Sequence, residues 1–176
     1  MRFAWGKGRG LWAFAVAGVA IPSGLLFGQP TRPVSLEARQ GVYIRAYDGR
    51  DHRDSAYYNA LCRVVLKEFA LPTDSLPPVD LVFVNREIQE KITAGNAGRF
   101  PSPEWTGAFI RPSLIIMVGE EEADDTFMHE FMHVLQQHGK LFRNVPFAAV
   151  HQLIDQNEGL LLGSKSYLEF LKKKGH

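Results

Sequence analysis

The stretch that most constrains this chain is His129-Glu130-Phe131-Met132-His133, set within the run from Thr126 to Gln137. On a helix, residues four apart project from one face about one turn apart, so the two imidazoles can grip a single metal ion. Glu130 follows the first histidine and points to the side, where a base can reach a water on the metal without being a ligand itself. Phe127, Phe131, Val134 and Leu135 supply an apolar face, with the two histidines at its border. Gly139 closes the pattern, so a helix is expected from about Asp124 to Gln137. The acidic residues Glu120, Glu121, Glu122, Asp124 and Asp125 stand at its start, where unpaired amides favour negative charge; they read as a cap rather than a cation site. His138, five residues past His133, is turned away from the pair and reads as a solvent or cap histidine.

Composition narrows the surroundings. The 176 residues carry a formal charge of +1 and are 45% hydrophobic, as expected of one ordinary domain with a short appendage. The only basic block is Lys172-Lys173-Lys174, so no electrostatic footprint for nucleic acid is present. Cys62 is the single cysteine, which excludes an internal disulfide, and its apolar neighbours read as core.

Residues 1–31 differ from the rest. Arg2, Lys7 and Arg9 form a basic start, and Gly10 to Thr31 carries no charge, with Leu11 to Phe27 as its apolar centre. This reads as an export signal or an uncleaved signal anchor, and either would place the body of the protein outside the cytoplasm. Residues 32–40 read as a linker, and 41–176 as the folded domain.

Within that domain, Gly41 to Tyr47 alternates like a strand. Asp54 or Ser55 caps a helix to about Leu71, with Tyr58, Leu61, Val65 and Phe69 inward and Pro72 as its stop. Val79 to Val84 is apolar enough to be a central strand. Arg86 to Thr93 suits one or two helical turns, and 94–106, rich in Gly and Pro, reads as a loop and a candidate lid. Gly107–Arg111 and Leu114–Val118 form a hairpin, and one of the two is expected at the sheet edge, where an extended peptide could add as a strand. After a connector over Leu141–Ala149, one last helix is expected from Val150 or Gln152 to Lys172.

A catalytic zinc site takes three protein ligands and leaves one position for water. His129 and His133 supply two; the third is sought in Glu158, then His151, then Cys62. His129–His133 followed by Asp155 to Leu162, with Asn157-Glu158-Gly159 at its centre, resembles the gluzincin metallopeptidases. In those enzymes the third zinc ligand is the glutamate of an Asn-Glu segment on a later helix. Asn157-Glu158-Gly159 with Tyr167 and Glu169 is similar to the ending of the aminopeptidase-like branch, and His133-Val134-Leu135-Gln136-Gln137 resembles small bacterial members. The resemblance spans about residues 107–171. It implies a zincin-like α+β fold: a small mixed sheet with an edge strand over the cleft, an active helix, and a C-terminal glutamate helix. It further implies Zn2+ held by His129, His133 and Glu158, Glu130 as general base, and a peptide or protein substrate. The position four after Glu158, where such families often carry an acid, is Leu162, so Asp155, Asp124 or a backbone carbonyl is expected to orient a ligand histidine. Tyr43, Tyr47, Tyr57, His151 and Arg143 form the pool for stabilising an oxyanion, and Tyr167 lies outside it. The alternative is a catalytically inactive, membrane-tethered binding or adaptor domain on the same fold.

Overall fold

Apolar residues in β2 and β4 face both ways, because both sides of the sheet are covered. The computed structural model describes residues 40–74, 76–96, 104–110 and 112–175. Among them are four strands, β1 (Gly41–Ala46), β2 (Pro78–Val84), β3 (Gly107–Ile110) and β4 (Leu114–Val118). Five α-helices accompany them: α1 (Ser55–Glu68), α2 (Arg86–Gly95), α3 (Asp124–Gln137), α4 (Phe147–Leu162) and α5 (Lys165–Lys174). The architecture is thus a mixed α+β fold. The sheet order is β1-β2-β4-β3, with β1, β2 and β4 parallel and β3 antiparallel to β4.

The period-two alternation of the strands divides the core. Leu81, Phe83, Phe109, Ile115 and Met117 face a large cluster built with α1, α3, α4 and α5. Val82, Val84, Ala108, Ile110, Ile116 and Val118 face a smaller one completed by Ile92 of α2 and by Trp105. β2 is central, as its apolar run implies. Of the two strands expected at the edge, Leu114–Val118 is interior, paired on both sides, and Gly107–Ile110 takes the edge beside α3. Arg111 lies outside the described residues.

Three helix boundaries depart from the sequence pattern. α1 ends at Glu68 before Pro72 is reached, because Ala70 turns left-handed (φ 51°) and Leu71 N–H donates to the Leu66 carbonyl at 2.8 Å. α4 begins at Phe147, inside the expected connector, directly after Pro146, whose φ of −56° is already helix-compatible. The expected single C-terminal helix is two, α4 and α5, because the Ser164 side chain accepts from Tyr167 N–H and starts a new helix beyond Gly163.

Residues 1–39, with the expected export segment and most of the linker, lie outside the described residues. So do residues 97–103 of the expected lid loop. Its described end is core rather than wall: Trp105 is fully buried, and its indole N–H donates to Thr93 Oγ1 at 2.9 Å. No helix among the described residues is long and apolar enough to cross a membrane.

Candidate metal centre

α3 runs over the residues that the motif pattern predicts, and it is stopped by a left-handed Gly139 (φ 62°). The sequence reads the acidic residues at its start as a cap, but the N-cap is Ala123, with no side-chain cap bond, and Glu122 and Asp124 bind side chains of other elements instead. Asp124 accepts from Arg53 at 2.7 Å, from the Tyr57 hydroxyl at 2.8 Å and from the Tyr167 hydroxyl at 3.0 Å, tying α1 and α5 to the first turn of α3. Glu122 accepts from the Tyr58 hydroxyl and from His52 Nδ1 (3.1 Å), whose Nε2 lies 2.9 Å from Asp48. These fixed contacts hold α3 on the sheet.

Every residue from Thr126 to Leu135 is buried, so the motif lies deeper than a cleft border. His129 and Glu130 are 0% exposed and His133 is 1% exposed. Glu130 faces β3, where the strand comes so close that a Cβ on Gly107 would stand 2.5 Å from Thr126 Cγ2 and 3.2 Å from Glu130 Oε1.

α4 crosses α3 with His151, Asp155 and Glu158 along one face, at i, i+4 and i+7. The His151 ring centroid lies 4.9 Å from that of His129 and 5.3 Å from that of His133, and the motif pair is 5.4 Å apart. One ring nitrogen from each of the three histidines can be chosen so that all lie within 4.8 Å of one another. Glu158 Oε2 accepts from His129 Nδ1–H at 2.8 Å, and Asp155 Oδ1 lies 3.6 Å from that same nitrogen and 3.4 Å from His151 Nδ1. The carboxylate beside His129 is therefore Glu158, with the exposed Asp155 behind it. Asp124, another residue considered for that role, is committed to Arg53, Tyr57 and Tyr167.

Five buried side-chain atoms here have no hydrogen bond of ordinary geometry: His129 Nε2, both ring nitrogens of His133, which the Gln136 side chain approaches, and both carboxylate oxygens of Glu130, which the Phe109 backbone N–H approaches. Buried polar atoms normally find partners. All five belong to the motif; a cation between the histidines would take His129 Nε2 and one nitrogen of His133, and a polar molecule beside it would serve Glu130.

Electrostatics follow from the burial. Desolvation pushes the Glu130 carboxyl up to about 7, with the His129 charge opposing and Glu158 adding to the rise. Desolvation together with the charges of His129 and His151 holds His133 down at about 2. Burial also disfavours charge on His129, but its bond to Glu158 and the charges of Glu130, Glu158 and Asp155 outweigh this and raise it. A bound cation would draw all of these groups toward their basic forms.

Other candidates lie away from the centre. Cys62 is buried, and burial pushes its thiol up. The Tyr57 hydroxyl is committed to Asp124, and Arg143 donates to the Gly139 carbonyl. His138 is the C-cap of α3, with Nε2 3.0 Å from Ser113 Oγ. Comparison of the chain with protein-family models, with curated proteins and with solved structures finds no match in any of the three.

Proposed function

We propose that this protein is a zinc-dependent peptidase of zincin-like architecture. The observation that carries the reading is the coincidence of five buried atoms without an ordinary hydrogen bond, on His129, Glu130 and His133, with a donor-bearing face of α4 opposite them. A purely apolar helix would bury that position at no such cost. A zinc ion held by the motif pair and a donor from α4 would polarise a peptide carbonyl and lower the pKa of a bound water from about 15.7 toward 7. Glu130, buried beside the pair and approached by the Phe109 backbone N–H, would take the proton from that water and hand it to the departing amine. β3 supports the reading by placing a sheet edge against the Glu130 side of α3, although all four of its residues are buried, so a peptide added there must displace its cover. Residues 1–31 would carry the domain out of the cytoplasm, where its substrates would be met.

A second reading is favoured by one observation: the three motif residues are almost fully buried, and the exposed side chains of the cluster are those of α4. On that reading the metal clamps α4 to α3, all four positions are filled by protein, and the domain binds rather than cleaves. One experiment separates the two. The full-length protein should bind one zinc per chain and cleave members of a peptide library, with cleavage lost to chelator. Glu130→Gln should keep the zinc and lose turnover about 10²–10⁴-fold. Cleavage undiminished in Glu130→Gln would overturn the enzyme reading.

A further inference from the structure

The two nitrogens of the His129 ring face different surroundings. Nδ1 is occupied by Glu158 at 2.8 Å, and Nε2 is buried and unpartnered. The lone pairs of an imidazole diverge, so a carboxylate bonded at one nitrogen cannot share an ion with the other. Glu158 therefore lies on the Nδ1 side of His129, away from the unpartnered Nε2. The His151 ring centroid lies 4.9 Å from that of His129 and 5.3 Å from that of His133, close to both members of the pair.

We infer that His151 is the third metal ligand and that Glu158 is a positioning residue, holding His129 in the tautomer that presents Nε2 to the ion. The inference rests on the metal reading above and changes which α4 residue binds. Zinc–nitrogen bonds of 2.0–2.1 Å at a tetrahedral angle require nitrogens about 3.3 Å apart. The three histidine nitrogens are at most 4.8 Å apart, so an inward shift of at most about 1.5 Å closes the site. The competing group, His129 with Asp155 and Glu158, also falls within 4.8 Å, but Asp155 and Glu158 both approach Nδ1. An ion there would leave His129 Nε2 and both His133 nitrogens buried and unpaired. His151 repeats the arrangement of His129 more loosely, with Asp155 3.4 Å from its Nδ1. One helix face thus supplies a ligand at His151 and an outer carboxylate for each of two rings, at Asp155 and Glu158. A carboxylate that accepts from a ligand histidine fixes ring orientation and typically contributes 10–100-fold in metal affinity.

The test loads the full-length protein with Co2+ and reads its visible ligand-field bands, its paramagnetically shifted imidazole N–H resonances, and its affinity against a competing chelator. The wild type should show three shifted imidazole N–H signals. His151→Ala, and His151→Asn as a bulkier check on folding, should show two, with altered bands. Glu158→Gln, which keeps an acceptor, should retain three signals and lose about 10–100-fold in affinity, and Glu158→Ala should lose more. Two shifted signals in the wild type, with count and bands unchanged in both His151 variants and the ligand field altered in Glu158→Gln, would overturn the inference and make Glu158 the ligand. A wild-type protein that takes up no stoichiometric Co2+ or Zn2+ would instead overturn the metal reading beneath it.

Discussion

Replacing His133 by leucine should raise the stability of the metal-free protein and abolish its response to zinc. His133 is 1% exposed, stacks on Phe109 at 5.9 Å, and has two ring nitrogens without a hydrogen bond of ordinary geometry, the Gln136 side chain only approaching the ring. Leaving a buried polar atom unpaired costs about 1–3 kcal/mol, so the two nitrogens together cost about 2–6 kcal/mol in the absence of a cation. Leucine has a similar volume and no polar atom, and a volume-conserving apolar exchange itself costs less than about 1.5 kcal/mol. The metal-free variant should therefore gain at least about 0.5 kcal/mol, or about 2 °C in Tm for a domain of this size. Zinc reverses the order. With free metal at a thousand times Kd the wild type gains about 4.1 kcal/mol, which is about 14 °C, and His133→Leu gains nothing. The assay is thermal unfolding of both proteins in chelator and in zinc. If the wild-type Tm is the same in both, no cation completes the site. If His133→Leu is the less stable protein in chelator as well, the unpaired nitrogens carry no cost, and the argument from burial fails.

Two further predictions concern the frame around the centre. Gly107→Ala places a Cβ 2.5 Å from Thr126 Cγ2 and should cost about 1–3 kcal/mol in urea unfolding. Thr126→Ser removes that methyl, so the double variant should recover about 1 kcal/mol, and strictly additive losses would show that the strand does not press on α3 there. His52 is expected to make stability depend on pH. Burial disfavours its charge, but bonds to Asp48 and Glu122 outweigh this and raise its pKa above 6.5. Below pH 6.5 the ring is protonated folded and unfolded, and the contribution is complete. Between 6.5 and the raised folded value only the folded chain holds the proton, so stability falls as pH rises, by up to about 1.4 kcal/mol per pH unit. His52→Gln should remove that limb, so the wild-type advantage should be largest below pH 6.5 and shrink above it; an advantage that grows with pH would refute the assignment.

The parts of the fold legible in the sequence are those decided within one element. The cap at Asp54, the central character of β2, the hairpin and both ends of α3 each follow from residues a few positions apart. The α4–α5 break was also within reach, since Gly163-Ser164 is a helix stop followed by a cap. Apolar residues at helical spacing on both sides of it, Ile154 and Leu161 before and Tyr167 and Leu171 after, conceal it when periodicity alone is followed.

The centre divides along the same line. That His129 and His133 share a face, with Glu130 beside them, is a property of one helix and needs no tertiary knowledge. What α4 contributes is a relation between two helices. His151, Asp155 and Glu158 occupy one face, so helical spacing predicts only that all three approach α3 together. Which of them ligates depends on the nitrogen of His129 that each approaches, and that is set by the rotation of α4 and by where it begins. The sequence pattern starts the helix near Val150 or Gln152, and its ranking of Glu158 above His151 rests on the Asn-Glu-Gly setting. With Pro146 starting the helix at Phe147, His151 stands in the second turn, beside the motif pair. The approach of Glu158 to Nδ1 of His129 is a relation between two helices, and no spacing within α4 contains it.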